Sequence, residues 1–198
     1  MKAPLLKINH LTINYLGAEA PVACTSFMEP GTFTPAAPAP PAGDLLTPPA
    51  IGEIWPGRGG IYAGVRNYPE GPRHVVFAAE DVGRHAWARD FEESGAVSRT
   101  DGRKNTEASI DAPYQTAAAE AACNYTADGH QDFYLPSIGE LSHAWLYIPE
   151  SFAKVAHWSS SQRSANHAFY LHFDDGYQYY SAKNYELRVR PVRSLLIR

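Results

Sequence analysis

From His157 onward, apolar and polar side chains alternate in short runs. These are "HWSSSQ", "HAFYLHF", "GYQYYSA" and "ELRVRPVRSLL", divided by "SAN", "DDG" and "KN". A period of two puts successive side chains on opposite faces of a strand, so this part of the chain predicts an antiparallel sheet. Within "HAFYLHF", Phe169, Leu171 and Phe173 form the inward set, while Tyr170 and His172 face outward. The Asp-Gly of "FDDGYQ" predicts a hairpin with a type I′ turn. Pro191 lacks an amide donor and limits the last strand to a sheet edge or to its own end. Arg188 and Arg190 flank Val189 and share one face, solvated or paired with acids such as Glu140 or Glu186.

Upstream, the pattern is mixed. "IGEIWPGRGGIYAGVR" predicts a strand, a Gly-rich turn and a second strand. "RHVVFAAED" predicts a short strand built on Val75, Val76 and Phe77. Residues 80–112 are polar and Gly-containing, with one turn of helix expected in "HAWARDFEES". "APYQTAAAEAACNY" predicts a helix, because Ala is the best helix former, Pro113 suits a first turn and Gly129 lies beyond the end. Ser137 followed by Glu140 is a capping box and predicts a helix that starts at Ser137. Leu141, Trp145 and Ile138 form its apolar side. The fold class is therefore α+β, with two helices and a small antiparallel sheet.

The first 50 residues read differently. "LKINHLTINYL" within 1–28 alternates as one strand, with Ile8, Leu11, Ile13 and Tyr15 as candidates for burial. Residues 29–50 hold seven of the 16 prolines, which excludes a helix or central strand and predicts a semi-rigid extended linker. The division is an attachment segment over 1–28, a Pro-rich linker over 29–50 and a main domain over 51–198.

Composition narrows the function classes. A net charge of −4 argues against sequence-independent binding to nucleic acid, which needs a basic face. No apolar run approaches a membrane span, and the N-terminal stretch, interrupted by Asn9, His10, Thr12 and Asn14, is not read as a signal peptide. Cys24 and Cys123 leave a disulfide open, with free thiols the favoured reading. "PGRGG" precedes a strand and lacks the Lys-Ser/Thr of a phosphate loop, so it reads as a tight turn. His167 and His172 fall on opposite faces of one strand, and the eight His show no metal-ligand spacing. "WSSSQ" offers serines without a paired base. No catalytic residue, cofactor or metal is assigned.

Three motifs in order carry a resemblance. "DGHQDFYLPSIGEL", "HWSSSQ" and "RVRPVR" resemble the D-W-R-L-P-T-x-x-E-L, Y-W-S-S and Y-V-R-P-V-R signatures of the DUF1566 family, bacterial and phage domains with a C-type-lectin-like fold. They span roughly 113–193, and "SRTDGRKNT" resembles a stretch common upstream, which extends the likeness from about 51 to the end. Phe133 and His157 depart from the pattern but keep flat, buryable rings. Trp158 is read as core rather than as a ligand platform.

The resemblance implies a C-type-lectin-like fold, which is also that of the variable proteins of diversity-generating retroelements. Those include phage tail receptor-binding proteins, which display randomised side chains on a fixed frame. On that pattern the displayed, ligand-binding set is Arg163, Asn166, His167, Tyr170, His172, Asp174, Asp175, Tyr177, Tyr179, Tyr180, Ser181, Asn184 and Tyr185. Ala168, Phe169, Phe173, Gly176, Gln178, Lys183 and Glu186 are the frame. The implied function is a non-enzymatic phage or prophage tail-tip protein on the virion, recognising a host cell-surface protein or glycan. Residues 1–50 would join other tail or baseplate proteins, and a homo-oligomer such as a trimer is expected. The alternatives are a bacterial surface adhesin and an oxidase related to the formylglycine-generating enzymes. The oxidase chemistry uses a late cysteine pair, and no Cys follows Cys123 here.

Overall fold

The structure is a computed structural model that describes residues 47–89 and 91–197. The expected N-terminal strand, most of the Pro-rich segment and Cys24 lie outside the described residues. In chain order the elements are β1 (Ile54–Trp55), β2 (Gly60–Tyr68), β3 (Gly71–Phe77), β4 (Arg84–Ala86), α1 (Gly102–Ile110), α2 (Ala117–Cys123) and α3 (Ile138–Tyr147). A 3-10 turn at Pro149–Ser151 follows, then β5 (Ala156–Gln162), β6 (His167–His172), β7 (Gln178–Ala182), β8 (Glu186–Arg188) and β9 (Val192–Leu196).

The strands form two sheets, ordered β1-β2-β3-β9 and β4-β8-β5-β6-β7. The class is mixed α+β, as expected, but the described residues form three helices and two sheets rather than two helices and one sheet. The second sheet is not wholly antiparallel, since β5 and β8 meet in parallel at His157 and Arg188. The run "ELRVRPVRSLL" is not one strand. Pro191 ends the pairing, so β8 lies inside the five-stranded sheet and β9 pairs with β3 in the four-stranded one.

The middle of the five-stranded sheet packs against a core on each face. One face carries Leu171 and Phe173 into a core with Ile61, Val75, Phe77, Leu141, Ala144 and Phe152. The other carries Trp158 and Ala168 into a core with Trp87, Ala118, Ala122, Leu135 and Val189. Each large side chain so buried contributes roughly 1.5–3 kcal/mol. Phe152 and Phe173 stack at 3.9 Å, and the buried His157 ring meets both edge-on. His157 thus fills the aromatic place as its flat ring suggested.

α1 was not anticipated, and its sequence explains why. Its inward residues are Gly102, Asn105, Thr106 and Ser109, so it has no apolar stripe to read. The turn of helix expected at "HAWARDFEES" is absent; the strand β4 occupies its start, because Trp87 is drawn into the second core. α1 is held by polar side chains instead. The Asp101 carboxylate accepts from the Lys104 amide and caps the helix. Asn105 accepts from the Ser98 amide and donates to the Ser98 carbonyl and to Ser160 Oγ. The Thr106 hydroxyl both accepts from the Leu135 amide and donates to the Leu135 carbonyl.

The capping box at α3 is present as expected, and it extends further than a cap. Glu140 is fully buried. Its Oε2 accepts from the Ser137 amide at 2.7 Å, the Ser137 hydroxyl at 2.8 Å and the Gly102 amide at 3.1 Å. Its Oε1 accepts from the hydroxyls of Tyr68 at 2.6 Å and Tyr134 at 2.8 Å. Gly102 sits so close that a Cβ there would lie 2.4 Å from Glu140 Oε2 and 2.7 Å from the Leu135 carbonyl oxygen.

The closing arginines are paired, but with neither Glu140 nor Glu186. Both reach Asp81, just after β3: Arg188 Nη1 at 3.1 Å and Arg190 through Nε. His157 Nε2 lies 3.3 Å from the same carboxylate. Burial alone would raise the Asp81 pKa. The His157 hydrogen bond and the Arg190 charge outweigh it and hold the group at about 2. Arg193 completes the run, pairing with Asp132 at 2.8 Å.

Two predictions follow from these contacts. Gly102→Ala should cost roughly 2–3 kcal/mol, since the new methyl must displace main chain on α3's cap; an unchanged denaturant midpoint would show that the approach can relax. Asp81 has a folded pKa below its unfolded value. Its stabilising contribution, about 2 kcal/mol at neutral pH, is therefore present above about pH 4 and lost as the pH falls towards 2. Asp81→Asn should be less stable than the parent at pH 7, and the gap should narrow on acidification; a gap independent of pH would contradict the assignment.

Candidate functional site

The thirteen residues proposed for display fall along β6, β7 and their turns. Main-chain pairing sets Ala168 opposite Ser181, Phe169 opposite Tyr180, Tyr170 opposite Tyr179 and Leu171 opposite Gln178. The turn between the strands is longer than the type I′ turn expected. Only Gly176 has a positive φ, 75°, and its amide reaches back to the His172 carbonyl. A type I′ turn needs two such residues. Asp174 and Asp175 are exposed in this turn, and Asp175 accepts from the Tyr177 amide.

Alternation sorts the strand residues as expected. Leu171 and Phe173 are fully buried, and Phe169 packs at the rim of the first core with Arg99 over its ring at 4.6 Å. Tyr170 shares the opposite face but is only half exposed, because it packs edge-on against Trp158 and joins the second core. His172 is half exposed too. Its Nδ1 lies 3.8 Å from Asp175 Oδ1, outside hydrogen-bonding distance.

At the outer strand the rings of Tyr177, Tyr179 and Tyr180 stack, with centroids 5.6 and 4.5 Å apart. Tyr177 and Tyr179 are 57% and 43% exposed. A hydrogen bond with Tyr180 raises the Tyr179 pKa, so the phenol stays a neutral donor and acceptor through the physiological range. The Arg163 guanidinium covers Tyr180 at 3.8 Å, and His167 meets the same ring at 5.3 Å. Arg163, Asn166, His167 and Ser181 sit at the end of the hairpin away from its turn. Asn184 and Tyr185, 62% exposed, continue from that end through the β7–β8 turn. The set runs about 20 Å along the strands, with Tyr170, His172, Tyr179 and Ser181 on one face of the hairpin, His167 and Tyr180 on the other, and Asn184 and Tyr185 leading off it.

The residues between them behave as a frame. Ala168, Phe173 and Lys183 are fully buried. A Cβ on Gly176 would lie 2.5 Å from the Trp145 ring, so only glycine fits. Gln178 is exposed, yet its amide donates to Ser142 on α3 at 2.7 Å. Glu186 departs from the expectation: its side chain is exposed, and its place in the frame comes from its carbonyl, which accepts from Arg84.

Lys183 anchors the far end of the strip. Its ammonium donates to Gln162 Oε1 at 2.8 Å and to the Glu92 carbonyl, and lies 4.6 Å over the Trp87 ring. Burial lowers its pKa to about 8. Sequence alternation did not expose a groove beside the hairpin turn. About 410 Å³ in volume, it is lined by Trp145, Leu146, Pro149, Lys154, Phe173 and Asp174. Trp145 was assigned to the apolar side of its helix, and it does touch the core, but one edge meets this groove.

The three serines of "WSSSQ" are fully buried and committed to structure. Ser159 donates to the Phe169 carbonyl and Ser161 to the Ser98 carbonyl, while Ser160 accepts from Asn105. Trp158 is buried core, as read. Cys123 is a half-buried free thiol whose pKa burial pushes up. No group of three His, Cys, Asp or Glu side chains among the described residues is placed to hold a metal ion. No described helix is long and apolar enough to cross a membrane.

Because Lys183 resists protonation when folded, the unfolded chain binds more protons between pH 8 and about 10.5. Stability should therefore rise by about 1.4 kcal/mol per pH unit across that window from this group. Lys183→Met should abolish that share of the slope; an identical slope in parent and variant would refute the assignment. No protein-family model matches the chain, and no curated protein matches it.

Proposed function

We propose that the chain is a non-enzymatic recognition module with a C-type-lectin-like frame, carried at a phage or prophage tail tip. Its strip over β6 and β7 meets a host cell-surface structure, protein or glycan. One observation carries the recognition role. None of the thirteen displayed side chains is buried, while Ala168, Phe173, Lys183 and Gly176 between them are fixed by burial or by close approach. A surface can then change its chemistry without disturbing its support.

Physical chemistry favours that use. Tyr offers large, rigid contact area at low entropic cost, and Ser, Asn and Asp offer adaptable hydrogen bonds, the mix used by antibody paratopes. The Tyr stack adds a hydroxyl-bearing aromatic edge, and the neighbouring groove offers Trp145 and Leu146 as an apolar anchor. The assignment to a tail tip rests on the likeness of the three motifs to the DUF1566 family, whose expected fold is also that of phage tail receptor-binding proteins. A template repeat beside the gene, matching codons 163–185 except at adenines, would tie the strip to a diversifying retroelement.

Replacing Tyr177, Tyr179 and Tyr185 together with Ala should reduce binding to host cells at least tenfold, with a melting temperature within a few degrees of the parent. Tyr170→Ala should lower the melting temperature, because that ring packs on Trp158. Full cell binding by the triple variant would overturn the proposal. A melting temperature that collapses in the triple variant would place those rings in the core and reject the surface reading as well.

A further inference from the structure

The edge of the five-stranded sheet opposite the Tyr strip carries a different chemistry. Antiparallel pairing of β4 with β8 sets Arg84 directly across from Arg188. Side chains at such positions leave the same face with Cβ atoms about 5 Å apart, and like charges there destabilise a sheet. The chain as a whole is acidic, at −4. A facing arginine pair is therefore an arrangement that strand pairing does not favour.

The neighbouring charges do not neutralise it. Asp81 takes one hydrogen bond from Arg188, but the same carboxylate also serves Arg190 and His157. Among the described residues Arg84 is held through its Nη2, which donates to the Glu186 carbonyl at 2.8 Å. Among the described residues each guanidinium is thus oriented by one hydrogen bond. Arg89 is exposed one turn of chain away. Among the described residues named here, two carboxylates, Asp81 and Glu186, stand against the guanidiniums of Arg84, Arg89, Arg188 and Arg190.

Two hollows flank Arg84. One, of about 310 Å³, is lined by Arg84, His85, Arg89, Asn184 and Glu186. The other, of about 230 Å³, is lined by Arg84, Arg188, Val155, Ala156 and Leu187. Arg84 stands between them, with guanidinium donors on both sides and an apolar floor in the second. Planar guanidinium forks match oxyanions bidentately. A single carboxylate would engage one fork, whereas a doubly charged tetrahedral group presents acceptor oxygens to both.

We propose that this edge is a binding site for a phosphate or sulfate ester, its oxyanion between Arg84 and Arg188 and its organic part over Val155 and Leu187. Asn184 and Arg89 border the oxyanion from the first hollow. The site shares Asn184 with the displayed set but uses none of its tyrosines, and it does not depend on the role proposed for them.

The test is an NMR titration of the full chain with inorganic phosphate, inorganic sulfate, glucose 6-phosphate, glucose and acetate, each at constant ionic strength. Saturable shifts confined to residues 84–89, 155–156 and 184–188 are expected with phosphate or sulfate. Glucose 6-phosphate should bind more tightly than inorganic phosphate, and glucose and acetate should not bind. Arg84→Gln should weaken phosphate about tenfold, the effect of one charge-assisted contact. Arg89→Gln, on an exposed side chain outside the core, should weaken it less and serves as the folded control. Phosphate against sulfate, and ester against free ion, identify the group preferred. Absence of saturation with both dianions, acetate binding as tight as phosphate, or equal affinity in Arg84→Gln would each overturn the proposal.

Discussion

A buried carboxylate with five hydrogen-bond donors, none of them cationic, among the described residues organises this fold. Taking an ionised group out of water costs several kcal/mol, and only a complete set of charge-assisted hydrogen bonds offsets it. Glu140 obtains that set from four places: the Ser137 cap, the first amide of α1, Tyr68 at the end of β2 and Tyr134 before α3. Burial, with the Glu140 charge beside them, raises the pKa of both phenols, which keeps them protonated as donors. Arg66 and Arg73 flank the Tyr68 ring and Arg103 covers that of Tyr134, so the donors are themselves held from outside. Removing any one donor leaves a buried charge short of a partner, which is why a helix, a strand and a loop are fixed together.

The same logic of polar clamps recurs along the chain's motifs. Asn105 and Thr106 tie α1 to β5 and to the Leu135 main chain, and buried serines in β5 complete the ties. Asp81 draws the two arginines before Pro191 to one point, just where the chain leaves one sheet for the other. A strand buried on both faces ordinarily reads as an apolar run. β5 instead reads as Ser-rich because its small hydroxyls meet main-chain groups of Ser98, β6 and the first turn of α3, and the Asn105 side chain of α1.

Such a frame supports the hairpin of β6 and β7 from its inward side. Its inward side chains lock into the first core, Gly176 admits Trp145, and Lys183 is held beneath the far end. What remains outward is a line of tyrosines with Asp, Asn, His and Arg. The opposite edge of the same sheet is lined by arginines, so one sheet offers two surfaces of unlike character, aromatic on one side and cationic on the other.

Local pattern determined much of this in advance. Alternation found β2, β3 and the strands after His157, and it sorted Phe169, Leu171 and Phe173 from their neighbours. The spacing of Ser137 and Glu140 fixed the start of α3, because a cap is a contact between residues three apart. Tertiary structure alone decided the rest. α1 was invisible because its buried face is polar and its partners lie far along the chain. The division of "RVRPVR" between two sheets, the choice of Asp81 over nearer acids, and the half-burial of Tyr170 against Trp158 all depend on residues distant in sequence. A periodicity reports which face is apolar; it carries no information on which distant donor will satisfy a buried charge, and here those donors set the architecture.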